Sequence, residues 1–228
     1  MHGNAVGLRA ALDDLAGRRV DGFVCLGDVA QGGPQPVECL ELVRETGARM
    51  VMGNADAFLI DPSLSTEPAT ERQLEVREWT LEQLPPGSVD FMRSFEPTVG
   101  LDLGGLRLLC FHGTPRSYDE PVLPEDPPEP FDGTSADLLA GGHVHVQQLR
   151  RVGDALYVNP GSIGRGYDHL QPEDDFRFDP WALVCDPRRQ RGRVPPRPVR
   201  RRGARPRHAD ERPPHAEDDL WRWQPRHS

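Results

Sequence analysis

Apolar residues recur along the first half of the chain in two alternating rhythms. Leu8, Ala11, Leu12 and Leu15 fall on one helical face behind Asn4, a good capping residue, so a helix is predicted from Asn4 to about Leu15. Residues 22–26 form an apolar run of strand length. Helical spacing returns in 36–46 through Val37, Leu40 and Val43, and 48–52 is strand-like again. Strand, helix and strand in succession is βαβ order, which predicts parallel pairing. Leu74, Trp79, Leu81 and Leu84 mark a helix from about Glu71 that Pro85-Pro86-Gly87 stops, and a shorter helix is predicted within 89–95.

The second half changes period. Residues 98–103 and 106–111 flank Gly104-Gly105, a two-residue hairpin signal, so antiparallel strands are predicted to begin there. A strand at 137–140 leads to His143, residues 144–149 can pair with 156–158 across Gly153-Asp154, and 181–185 supplies a last strand. The pattern predicts two facing sheets with helices outside. Between these elements, 117–133 is Pro-rich, acidic and without periodicity, and reads as an insertion or a lid.

Composition narrows the picture. A chain of 228 residues is one α/β domain or two small ones. No apolar run approaches the roughly 20 residues of a membrane helix and no charged-then-apolar leader opens the chain, so no membrane role and a cytoplasmic location are expected. Cys25, Cys39, Cys110 and Cys185 lie in apolar surroundings without a Cys-x-x-Cys pair and read as small buried hydrophobes. The formal net charge of -9 divides into +8 on residues 187–228, with 13 Arg against 5 acidic residues, and -17 on 1–186. An acidic body argues against a dedicated nucleic-acid-binding domain, and any weak affinity of that kind would lie in the basic segment. That Arg- and Pro-rich segment carries its large apolar groups at Leu220, Trp221 and Trp223, too few to fold, and is expected to be disordered. The domain itself is expected to span 1–186.

Candidate chemistry gathers directly after the predicted strands. Leu26-Gly27-Asp28-Val29-Ala30-Gln31-Gly32-Gly33 follows the first, Gly53-Asn54-Ala55-Asp56 the second, and His112-Gly113-Thr114-Pro115 and Gly142-His143-Val144-His145 two later ones; His2-Gly3-Asn4 opens the chain. Loops at the carboxyl edge of a sheet are where ligands collect in α/β proteins. Asn159-Pro160-Gly161-Ser162 is a further strand-end turn. In this order the loops resemble those of the calcineurin-like metallophosphoesterases, in particular the small bacterial and archaeal phosphodiesterases, over roughly residues 1–186.

That resemblance implies a four-layer α/β/β/α sandwich of two mixed sheets flanked by helices. It also implies a phosphoric ester hydrolase with two divalent ions, Mn foremost and Ni, Co, Fe or Zn as others. Two such ions roughly 3.5 to 4 Å apart polarise a phosphoryl group and generate a hydroxide nucleophile. Mixed imidazole and oxygen ligands suit these metals. Carried over by position, Asp28 bridges; Asn54, His112 and His143 join it on one ion; His2, Asp28 and His145 hold the other. Asp28 and His143 would be the residues on which turnover depends. If 144–149 is a strand, His143 and His145 point the same way. His169, His208, His215 and His227 fall in no such loop.

Two departures stand out. Ala55 replaces a His that in many relatives assists the leaving group, which favours good leaving groups such as those of aryl phosphodiesters. The family's first His also belongs to an Asp-x-His motif behind a central strand, whereas this sequence opens Met1-His2. The expectation is that the first strand is lacking here and that the true start lies upstream, with about seven to ten more residues ending in Asp-x. Besides a phosphodiesterase acting on a small phosphate ester, the resemblance admits a monoesterase or a diadenosine tetraphosphatase or protein phosphatase. It also admits a non-catalytic interaction module, like the retromer subunit of this fold.

Overall fold

The computed structural model describes residues 1–18, 20–167, 183–184 and 197–198. Helix α1 (Ala5–Ala16) starts as predicted, the Asn4 side chain accepting from the Gly7 N–H at 2.9 Å. Strands β1 (Val24–Cys25) and β2 (Arg49–Met50) pair in parallel, Val24 opposite Arg49, with α2 (Pro36–Glu45) crossing between them. Leu8, Cys25, Leu40, Val43 and Met50 join Met92 and Phe95 in one core under the helices.

Helix α3 (Asn54–Ile60) follows β2 at once and was not expected from the sequence. Next come α4 (Glu71–Gln83) and α5 (Ser88–Arg93). The face predicted for α4 is buried only in its second half: Leu81 and Leu84 pack against the core, whereas Leu74 and Trp79 are 37% and 43% exposed, and Arg77 also holds the helix. Its guanidinium donates to Phe58 O at 2.8 Å and Leu59 O at 3.0 Å, the carbonyls that end α3.

The second sheet has five strands in the order β3-β4-β5-β7-β6: β3 (Val99–Asp102), β4 (Arg107–Cys110), β5 (Leu138–Ala140), β6 (Gln148–Val152) and β7 (Ala155–Asn159). The two hairpins are antiparallel as predicted, and Gly104 and Gly105, with φ of 72° and 93°, make the tight turn of the first. The middle strands β4, β5 and β7 run parallel, so this sheet is mixed. Val51, Val99 and Cys110, with Val24, Leu26 and Leu108, form a core drawn from both sheets. Tyr157, Phe111 and Leu139 form another with Val122 and Phe131, so the 117–133 segment packs onto the sheet rather than lying wholly over the loops.

Cys25, Cys39 and Cys110 are buried free thiols. The last predicted strand is seen as Leu183–Val184, paired antiparallel with Arg197–Pro198. The rest of the segment after 186 lies outside the described residues. No helix among the described residues is long and apolar enough to cross a membrane.

Candidate metal centre

The six residues singled out in the sequence converge. Asp28 lies just beyond β1 in a left-handed conformation, φ 56°. Gly27 before it, φ 94°, approaches so closely that a Cβ there would stand 2.6 Å from the Gly53 nitrogen and 2.9 Å from His112 Nδ1. One oxygen of Asp28, Oδ1, accepts from the Ala55 N–H at 2.9 Å. This fixes the other, Oδ2, which lies 3.4 Å from His2 Nε2 and 3.3 Å from His112 Nε2.

Around that oxygen two groups form. His2 and His145 bring their Nε2 atoms within 3.0 Å of each other. His112 Nε2 and His143 Nδ1 each lie 3.1 Å from Asn54 Oδ1. The second nitrogen of three rings faces a main-chain carbonyl: His2 Nδ1 donates to Gln31 O at 3.1 Å, His145 Nδ1 to Arg165 O at 2.9 Å and His112 Nδ1 to Leu26 O at 2.5 Å. A carbonyl accepts only, so the ring proton sits on Nδ1 and the inward Nε2 carries a lone pair. Lone pairs of imidazole, amide and carboxylate therefore face one another.

Electrostatics agree with that inventory. Burial pushes His145 down to about 3, and burial with the His112 charge brings His143 to about 4. Burial also lowers His2 well below its ordinary value. For His112 burial is outweighed by the Asp28 charge and contact, and its pKa rises. Burial opposes ionisation of Asp28, but His112 and His2 hold it well below the usual carboxylate range. Among the described residues, His2, Asp28 and His145 bring their ligand atoms within 4.8 Å of one another, a set that could hold a metal ion. Imidazole nitrogens, an amide oxygen and a shared carboxylate are the donors that borderline divalent metals accept, so the residues fit such ions.

Three findings go beyond the sequence reading. His143 and His145 are not on a strand: β6 begins only at Gln148, which pairs with Asn159, the last residue of β7 before Pro160. His143 has φ 62° and Val144 N–H folds back to Gly142 O at 2.7 Å, so the two rings reach the centre through an irregular loop. Asn159 holds that loop, donating to Gly142 O at 2.9 Å and Val144 O at 2.8 Å.

Asp56 ends the Gly53-Asn54-Ala55-Asp56 motif. It is fully buried and accepts from the N–H groups of Asp28 at 2.7 Å, Val29 at 3.0 Å and Gly53 at 3.2 Å, joining the first two ligand loops. Burial and the Asp28 charge push its carboxyl up to about 6. Arg165, outside every motif, is considered below. Residues 117–120 fold back beside the His112 loop, where Thr114 Oγ1 donates to Glu120 Oε2 at 3.0 Å. His169, His208, His215 and His227 lie outside the described residues.

Residues 1–173 match the family described as the calcineurin-like phosphoesterase superfamily domain. A metallophosphoesterase from Sphaerobacter thermophilus is similar at 26% identity and a TM-score of 0.60, covering 80% of this chain and 78% of that one. A hypothetical protein from Pyrococcus horikoshii shares the fold at 18% identity and a TM-score of 0.62, covering 72% and 74%. An uncharacterised protein of Methanocaldococcus jannaschii is 24% identical over 196 residues, 78% of this chain and 79% of the relative. With ligand-bearing loops from two sheets meeting at one centre and a family match over residues 1–173, this chain belongs to the calcineurin-like phosphoesterase superfamily.

Proposed function

We propose that the chain is a metal-dependent phosphodiesterase that works with two divalent cations, Mn foremost. The observation that carries this reading is the position of Asp28 Oδ2, within 3.4 Å of His2 Nε2 and 3.3 Å of His112 Nε2, between two groups of inward lone pairs. A carboxylate has two oxygens and a charge, which makes it the natural bridge between two cations. Asp28, Asn54, His112 and His143 would hold one, and His2, Asp28 and His145 the other. When bound, such a pair polarises the phosphoryl group and yields a nucleophile from water at neutral pH.

The chain's own residues define the rest. Main-chain carbonyls fix the imidazole tautomers, and Ala55 N–H fixes the carboxylate, so the ligands are oriented in advance. By the family resemblance, Ala55 stands where many relatives have a His that assists the leaving group, and its methyl group cannot supply a proton. Esters whose leaving group departs unprotonated are therefore the best substrates, aryl diesters among them. With Mn added, the protein should hydrolyse bis-p-nitrophenyl phosphate, and Asp28→Asn and His143→Ala should each abolish turnover. Full activity in Asp28→Asn would overturn the bridging role, and preference for p-nitrophenyl phosphate would turn the reading to a monoesterase.

A further inference from the structure

We propose that Arg165 is the positioning residue of the His2–Asp28–His145 half of the centre, a proposal that rests on the two-cation reading above. Arg165 is 5% exposed, although it follows a plain turn and belongs to no ligand motif. Its main-chain oxygen accepts from His145 Nδ1 at 2.9 Å, which fixes the proton of that ring and turns Nε2 inward. Its guanidinium donates through Nη2 to Gly32 O. The preceding carbonyl, Gln31 O, accepts from His2 Nδ1 at 3.1 Å. One residue thus holds one imidazole with its own carbonyl and braces the loop whose carbonyl orients the other.

Two further contacts make this a fitted joint. Gly32 has φ +99°, and a Cβ there would stand 2.8 Å from Nη2 and 3.1 Å from Cζ of Arg165, so the guanidinium packs where only glycine leaves room. Arg165 N–H donates to Ser162 Oγ at 3.1 Å, which ties the carbonyl-bearing turn to the strand-end loop. The other half of the centre has its own supports. His112 is set by Leu26 O, and the His143 loop by Asn159. The Arg165 bonds described above run to His145, Ser162 and Gly32, on the His2–His145 side.

A cation at this place acts in two opposed ways. Its charge repels a metal ion, while its hydrogen bonds hold two ligands in line for one. Removing it separates these effects by sign: loss of geometry weakens binding at one site, and loss of repulsion tightens it.

The test is Mn titration by calorimetry of the full chain, wild type against Arg165→Gln and Arg165→Lys. The wild type is expected to bind two ions. Arg165→Gln should keep one at wild-type affinity and bind the other at least tenfold more weakly, and Arg165→Lys, which can still donate toward Gly32 O, should recover most of that loss. Parallel weakening of both sites would show a general scaffold role, and unchanged or tighter binding would show that the bonds do not position ligands; either overturns the proposal. If Arg165→Gln does not fold, Ser162→Ala should give the same selective loss in smaller measure, and no loss there overturns it equally. A wild type that binds fewer than two ions refutes the two-cation reading itself and this proposal with it, whereas an altered ratio between variant and wild type bears on Arg165 alone.

Discussion

The Nε2 atoms of His2 and His145 stand 3.0 Å apart with no proton to share, because each ring directs its N–H to a carbonyl, Gln31 O or Arg165 O. A buried pair of this kind favours a metal ion and resists acid. His145 is held at about 3 and His143 at about 4 by burial, and His2 is lowered as well. In the unfolded chain all three take up protons below about pH 6.5. The unfolded state then binds more protons than the folded one, so stability falls as pH drops below that value.

Asp56 works the other way. Its carboxyl, raised to about 6, is protonated in the fold before the unfolded chain takes up that proton, so its contribution grows as pH falls through 6. His112, also raised, takes up its proton in the fold before the unfolded chain does, so its gain is complete by about pH 6.5; below that, three lowered imidazoles against Asp56 leave a net loss, each group worth up to about 1.4 kcal/mol per pH unit. The melting temperature of the metal-free protein should therefore drop between pH 7 and pH 5, and His145→Gln should make the drop shallower. A flat profile in the wild type would show that these rings are not held neutral.

Asp56→Asn should loosen both ligand loops at once. The amide keeps the size of the carboxylate but offers N–H where a main-chain N–H already points, so at least one buried donor loses its acceptor. A loss of about 1–3 kcal/mol in urea denaturation is expected, with weaker Mn binding. Unchanged stability would show that the three contacts are not needed to hold the loops.

Much of this centre was legible because chemistry and backbone coincide. Asp28, Asn54, His112 and His143 each sit beside glycine just after an apolar run, and a strand end is where such residues can converge. The role of Asp56 was not legible, because its partners Asp28 and Val29 are 28 and 27 residues away and the bonds run to their main chain. Helix α3 escaped notice because it has seven residues, too few for a period, and its Ala-Phe-Leu-Ile run reads equally as a strand. On α4 the apolar residues do not all share one face: Leu81 and Leu84 pack against the core while Leu74 and Trp79 stay exposed, and Arg77 between these two fastens the helix to the end of α3. The alternation argument for His143 and His145 assumed extended backbone, and the left-handed φ of His143 cannot be read from a sequence.

Asn159 is the support of that left-handed loop. Asn159→Ala would leave Val144 O without its donor and the Gly161 N–H without its acceptor, and would leave Gly142 O with the Val144 N–H but no side-chain donor. Each buried group left unpaired costs about 1–3 kcal/mol, so a substantial drop in denaturation midpoint is expected. Mn affinity should fall at the His143 site before the His145 site, which competition between wild type and variant for limiting Mn can measure. Wild-type stability and affinity in this variant would show that the loop holds its own shape.

The shared carboxylate is the central claim, and the number of ions held per chain tests it most directly. After loading with Mn and removal of the excess, elemental analysis should find two ions on the wild-type chain and no more than one on Asp28→Asn, with circular dichroism unchanged. Two ions retained by Asp28→Asn, or none on the wild type, would contradict a centre built on Asp28.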